Sequence, residues 1–221
     1  MVIHERRERI LARLTSEGYL NASQLSEEFN VDSSTIRRDL IYLEKHGHII
    51  RTHGGVLPVL STEGQDTPYS IRKSRHHFEK VAIAEYAASL VQDGDSVILD
   101  NGSTVYELAA LLALKKHLTV ITNDLNIAIL LSQYPAINLN VTGGAVAGNS
   151  YTLVGPDATR KFGEVYADWA FMGAEGVHPE SGITNVNAVE IPTKLAILNA
   201  AKTRVILADS SKIGYRADRK S

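Results

Sequence analysis

The segments Asp100-Asn101-Gly102-Ser103-Thr104, Thr122-Asn123-Asp124, Thr142-Gly143-Gly144, Gly173-Ala174-Glu175-Gly176 and Asp209-Ser210-Ser211-Lys212 gather hydroxyls, amides, carboxylates and a lysine among small residues. In the first, a glycine lets the backbone approach a ligand. Ser103, Thr104 and the amides of a following helix turn can cradle an anion there. The combined inventory suits a sugar-like molecule, with a cation for a phosphate. Neither GxGxxG nor GxxxxGK[ST] occurs, so dinucleotide and P-loop chemistry have no support. A second set lies upstream. Ser33, Ser34, Arg37 and Arg38 open a helical pattern, and Arg51 and His53 follow in a short β-prone stretch. Hydroxyls at a helix start and an arginine one turn on suit phosphates and base edges.

The elements that must place these residues are legible as periodicity. Ile10, Leu11 and Leu14 form a helical stripe that stops at Gly18. Asn21 caps a second helix bearing Ala22, Leu25 and Phe29, and the turn Asn30-Val31-Asp32 ends it. A third helix, capped by Asp32 or Ser33, buries Ile36, Leu40 and Leu43 and ends near Gly47. Its outer face then carries Ser33, Ser34 and Arg37, with Ile41 or Tyr42 at the margin. Arg38 adjoins Asp39, so one of the two neighbouring arginines is expected to be partly structural. Residues 48–56 read as a ribbon around a glycine turn. Three helices and a ribbon make a winged helix-turn-helix over residues 1–57.

Residues 58–75, broken by Pro58, Gly64 and Pro68, read as a linker. Residues 76–221 alternate helix and short apolar strand. Helices are expected at Phe78–Leu90, Thr104–Leu114, Leu125–Leu131 and Ile191–Ala201. Strands are expected at Val97–Leu99, Leu118–Ile121, Ile137–Val141, Trp169–Met172 and Val205–Ala208. Such strands form a mostly parallel sheet covered on both faces. The overall class is therefore α/β, and parallel strands would bring all five polar loops to one edge.

Composition excludes several functions. There is no cysteine, hence no disulfide, thiolate catalysis or cysteine-ligated metal. The eight histidines are mostly isolated, and adjacent His76 and His77 point apart on a helix, so neither metal nor other cofactor is expected. Glu5-Arg6-Arg7-Glu8-Arg9 stands where a signal peptide would be apolar, and no long apolar run occurs. A cytoplasmic, membrane-free protein is the expectation. Residues 1–57 carry 8 Lys+Arg and 8 Asp+Glu, so DNA binding rests on where the arginines sit rather than on net charge.

Ser34-Thr35-Ile36-Arg37-Arg38-Asp39-Leu40, with Leu43, Glu44, Gly47, Arg51 and His53-Gly54-Gly55, resembles the signature of the deoxyribonucleoside-repressor (DeoR) family of bacterial regulators. The resemblance implies a repressor near carbohydrate genes, its third helix in the major groove of operator DNA. Candidate DNA contacts are Ser33, Ser34, Thr35, Arg37, Arg38, Arg51 and His53. The later strings resemble the family's sensor, similar in fold to ribose-5-phosphate isomerase. Candidate contacts to a phosphorylated sugar are Asp100, Asn101, Gly102, Ser103, Thr104, Asn123, Gly143, Gly144, Glu175, Lys194 and Lys212. Asp168, Gly173, Gly176, Glu190 and Asp209 fall on other characteristic positions. Of these, Asp209 can brace its loop, and Glu190 with Lys194 can form a plain i, i+4 salt bridge. Two departures are visible: Ser103 stands where threonine is commoner, and family members usually continue some thirty residues past the Asp209-Ser210-Ser211-Lys212 string, whereas the sequence here stops at Ser221. Two competing readings are a C-terminal domain that only oligomerises and a sugar-phosphate isomerase using Glu175, Asp168 and Lys194. The preferred reading is a non-enzymatic regulator acting as a homo-oligomer, dimer or tetramer.

Overall fold

The computed structural model describes residues 2–17, 19–46, 48–52, 54–58, 69–217 and 219–220. The chain divides into two compact units, residues 1–63 with 70–75, and residues 64–69 with 76–221.

The first unit contains α1 (Ile3–Glu17), β1 (Leu20–Asn21), α2 (Ala22–Glu28), α3 (Ser33–Lys45), β2 (Ile49–Thr52) and β3 (Gly55–Pro58). The expected apolar stripes meet in one core of Ile10, Leu14, Leu25, Phe29, Ile36, Leu40 and Leu43, closed by Ile49 and Val56 from the ribbon. Asn21 caps α2 by accepting from the amides of Ser23 and Gln24. Asp32, rather than Ser33, caps α3. β2 and β3 pair antiparallel, and β1 adds a third strand beside β3. Gly47 and His53 lie outside the described residues, as do residues 59–68 of the expected linker. At the linker's far end, Tyr69–Ser74 form a short helix, α4.

One expectation in this unit is corrected. Neither Arg37 nor Arg38 braces Asp39. The Asp39 carboxylate is buried and accepts from Arg6 Nε at 2.6 Å and Arg7 Nε at 2.7 Å, tying α1 to α3. Residues adjacent on a helix point about 100° apart, so Arg38 faces outward while Asp39 faces α1. The Arg7 guanidinium also lies 3.7 Å from the centre of the Tyr42 ring, which stacks on His46.

The second unit opens with α5 (His77–Leu90), then β4 (Ser96–Leu99), α6 (Ser103–Leu112), β5 (Thr119–Thr122), α7 (Leu125–Leu131) and β6 (Asn138–Val141). A hairpin, β7 (Ala145–Ala147) and β8 (Thr152–Val154), leads to α8 (Pro156–Gly163) and β9 (Ala167–Gly173). β10 (Gly176–His178), β11 (Gly182–Asn185), α9 (Ile191–Asn199), β12 (Ala201–Leu207) and β13 (Arg219–Lys220) complete it. The central sheet has the order β12-β9-β4-β5-β6, and all its pairs are parallel. β10, β11 and β13 form a small antiparallel sheet of their own.

Alternation along each strand divides the core. Val97, Leu99 and Phe171 pack with Ala84 and Ala87 of α5, Val105 and Leu108 of α6, and Ile127 of α7. Ile98, Ile121, Ala170 and Met172 pack on the other face with Phe162 of α8 and Ile197 of α9. The doubly covered parallel sheet expected from sequence is thus present. Among the described residues no helix is long and apolar enough to cross a membrane.

Candidate functional site

In the first unit a cleft of about 350 Å³ is lined by Ser33, Ser34 and Arg37 of α3, Arg51 and Gly54-Gly55 of the ribbon, and Ser23 of α2. Four of the seven expected DNA contacts therefore share one surface. Thr35 is half-buried in the first turn of α3, and Arg38 is exposed outside this cleft. Hydrogen bonds from the Ser34 hydroxyl and amide hold the Asp32 carboxyl below the usual carboxylate range. Arg51, which lines the cleft, lies 3.5 Å from Glu44 in a partly exposed pair. Ser23 is a lining residue that sequence reading missed, because nothing local distinguishes it from any helix-surface serine.

In the second unit every strand of the central sheet runs the same way, so the five polar loops do gather at one edge. At about 4.8 Å per strand that edge runs about 19 Å from β12 to β6, more than one small sugar phosphate spans. The expected effector residues accordingly separate into groups. Glu175 and Lys212 follow β9 and β12, on one side of β4. Asn123, Gly143 and Gly144 follow β5 and β6, on the other.

Around the end of β4 the polar residues are tightly interlocked. Lys194, buried on α9, donates to Asp100 Oδ2 and, at 3.3 Å, to Asn101 Oδ1. The expected i, i+4 pair with Glu190 is replaced by this contact across the sheet. Glu190 instead accepts from Asn101 Nδ2 at 3.4 Å. Burial works against the Lys194 charge, but Asp100, Glu190 and Glu175 outweigh it and raise its pKa above the usual lysine value. Lys194 is therefore engaged by carboxylates rather than waiting as a free cation. Asp124 caps α7 through Oδ1, which accepts from Asn126 at 2.7 Å and Ile127 at 3.1 Å. Its Oδ2 accepts from the Gly102 amide at 3.3 Å. Burial pushes the Asp124 carboxyl above the usual range, and the charge of Asp100 adds to the effect.

The start of α6 has no side-chain cap. Gly102 precedes it at φ +136°, with open space where a Cβ would stand. Ser103 is buried and Thr104 half-buried beside it. Four neighbouring side chains each keep one buried polar atom without a hydrogen-bond partner: Asp100 Oδ1, Asn123 Oδ1, Thr142 Oγ1 and Asn126 Nδ2. A buried polar group left unpaired costs about 1–3 kcal/mol, so a run of them marks a place for a polar guest.

Other candidates are braces. Asp209 accepts from the Ser211 amide at 2.9 Å and from its hydroxyl. Glu175 accepts from the Val186 amide. Asp168 lies near the amino end of β9, where it accepts from the Ser96 amide at 2.9 Å and hydroxyl at 2.6 Å. It is thus at the opposite edge from Glu175 and Lys194, and the trio required for isomerase chemistry does not assemble. Among the described residues, no group of three His, Asp or Glu side chains is placed to hold a metal ion.

Comparison with known proteins extends these observations. Residues 6–62 match the DeoR-like helix-turn-helix domain, and residues 75–220 match the DeoR C terminal sensor domain. The HTH-type transcriptional regulator GolR of Listeria innocua is 38% identical over 210 residues, covering 95% of this chain and 82% of that protein. A putative aga operon transcriptional repressor of Escherichia coli O157:H7 is 34% identical, covering 94% of this chain and 78% of that protein. Ribose 5-phosphate isomerase A from Methanocaldococcus jannaschii overlays with a TM-score of 0.45 at 23% identity, over 62% of this chain and 54% of that one.

Proposed function

Because the chain belongs to the DeoR family of helix-turn-helix transcriptional regulators, with a C-terminal sensor domain, we propose that it is a repressor of carbohydrate genes whose operator binding responds to a phosphorylated sugar. The observation that carries the effector half is the cluster of buried, unpaired polar atoms on Asp100, Asn123 and Thr142 beside the uncapped start of α6. In this reading the phosphate sits on the Gly102-Ser103-Thr104 turn and the α6 dipole, and the sugar hydroxyls reach Asp100 and Asn123. Lys212, half-buried at the β12 end, contributes at longer range. Arg37 reads base edges, while Arg51 and Ser33 hold the backbone.

The working assembly is a homo-oligomer in the cytoplasm. One small DNA-binding module covers only about 600–1,000 Å² of protein surface, and two-fold pairing matches paired half-sites. Phe78 and Tyr86, 78% and 73% exposed on α5, support a contact surface there. Sedimentation at micromolar concentration tests this, and a monomer both with and without operator DNA would refute it.

The effector half is tested by titration calorimetry with phosphorylated and unphosphorylated sugars. A Ser103→Ala, Thr104→Ala double variant should bind the phosphorylated form at least tenfold more weakly, about 1.4 kcal/mol, while still binding operator without ligand. Equal binding of phosphorylated and unphosphorylated sugar would show that the phosphate is placed wrongly.

A further inference from the structure

The register of the sheet converts the unpaired atoms into a ruler. Leu99 pairs with Thr122 and Thr122 with Val141, so Asp100, Asn123 and Thr142 stand in one row, a residue beyond the last paired row. Two backbone hydrogen bonds continue the sheet into this row, Asp100 N to Phe171 O and Thr142 N to Thr122 O, each at 3.0 Å. In-register neighbours share a face. All three are at most 4% exposed. Two strand spacings separate the ends of the row, about 9.6 Å.

The row also has a polarity. Asp100 Oδ2 is taken by Lys194, which leaves Oδ1 as an acceptor. Asn123 donates through Nδ2 to Leu153 O at 3.2 Å, which fixes its free Oδ1 as an acceptor too. Thr142 closes the row with a hydroxyl that can donate or accept. A guest lying along the row must present hydrogen-bond donors to Asp100 and Asn123. Hydroxyls do so; a carboxylate cannot, and it would meet the Asp100 charge.

We infer that Thr142 is a specificity-determining residue, and that the row selects a phosphorylated chain of five or six carbons whose far part is hydroxylated and uncharged. This rests on the effector site proposed above. A three-carbon phosphate anchored at Gly102–Thr104 falls short of Thr142. A sugar acid phosphate of full length reaches it but buries a second anion at the Thr142 end, where a neutral hydroxyl is offered and the cation by the row, Lys194, is already held by Asp100. Thr142 itself touches the far hydroxyl and takes no part in holding the phosphate.

The test is calorimetry on the full chain with four kinds of probe: hexitol phosphates of gluco, manno and galacto configuration, 6-phosphogluconate, glycerol 3-phosphate and inorganic phosphate. At least one hexitol phosphate should bind at least tenfold more tightly than 6-phosphogluconate and glycerol 3-phosphate. Thr142→Val, nearly isosteric, should weaken that hexitol phosphate about tenfold and leave inorganic phosphate unchanged, and Thr142→Ser should restore the affinity. If Thr142→Val binds the hexitol phosphate as the parent does, or if 6-phosphogluconate binds as tightly, the role of Thr142 and the polarity of the row are wrong while the phosphate site stands. If no probe binds, inorganic phosphate included, the underlying effector site falls and this inference with it.

Discussion

Replacing Asp39 by alanine should strongly destabilise the DNA-binding unit while leaving the stability of the sensor unit unchanged. The carboxylate is 2% exposed and serves two guanidinium groups at once, one of them on a residue only 5% exposed. Removing one partner of a buried ion pair costs about 3–5 kcal/mol, because the remaining charge stays out of water. A unit of about 70 residues, at 0.05–0.15 kcal/mol each, holds only about 3–10 kcal/mol. The loss is therefore about a third of its stability at the least, and all of it at the most. With a urea m-value of about 1.5 kcal/mol per molar, the midpoint falls by about 2–3 M. The protein supplies its own reporter for the other unit. Trp169, its single tryptophan, stacks on Phe171 at 5.9 Å and donates through Nε1 to Asp95 at 3.0 Å, both in the sensor. Urea titration of the full chain, followed by far-ultraviolet circular dichroism and by tryptophan fluorescence, separates the two. The helical signal of Asp39→Ala should lose an early phase, and the fluorescence transition should stay in place. An unchanged dichroism midpoint would refute the reasoning, since it would give the pair the near-zero value of a surface salt bridge.

Arg37→Ala should lose about 1–3 kcal/mol of operator affinity and relax sequence preference, whereas Arg51→Ala should weaken operator and scrambled duplexes alike and shallow the salt dependence. Binding of both variants across a salt series distinguishes the roles, and equal losses on both duplexes for Arg37→Ala would reverse the assignment. Gly144→Ala should destabilise the sensor by several kcal/mol, because Gly144 sits at φ +125° and a Cβ would stand 2.4 Å from Val154 O. A fluorescence-monitored midpoint within error of the parent would show that the β6–β7 turn can relax. Burial, with the nearby His46 charge, lowers the His48 pKa below the ordinary histidine value. The unfolded chain then takes up a proton that the folded unit resists, so stability should fall as pH drops below about 6.5. His48→Gln should flatten that fall in the dichroism-monitored midpoint, and an unaltered pH profile would exclude His48 as its source.

What the sequence discloses divides by range. The stripe Ile36, Leu40, Leu43 and the cap at Asp32 are set within one helix, and both were readable. So was the gathering of five loops at one edge, which needs only short apolar strands separated by helices. The hairpin β7–β8, the helix α8 and the small sheet of β10, β11 and β13 carried no usable period. Their strands are two to four residues long, and they are held by distant contacts, such as Thr184 Oγ1 accepting from the Ala217 amide at 3.0 Å. Polar partners failed in the same way. Lys194 looked paired with Glu190 four residues away, yet its carboxylate lies 94 positions distant on Asp100. Asp39 looked paired beside Arg38, yet its partners are 33 and 32 positions upstream. Thr142, inside a loop that stood out, became notable only when the register put it level with Asn123.

The carboxylate of Asp124 joins the loop after β4 to the loop after β5, since one oxygen caps α7 and the other receives the Gly102 amide. For a lineage of such sensors this sets where novelty can arise. An insertion or deletion in either of those loops would break a bond that both need, so the two are expected to change together. At the end of β6, Thr142 and Gly143 make no such side-chain bond to a second loop, and changes of effector should be recorded there first. A library randomised at residues 142 and 143, with Gly144 kept, is accordingly expected to yield folded proteins with altered effector preference, at a rate well above a library randomised at 101–103.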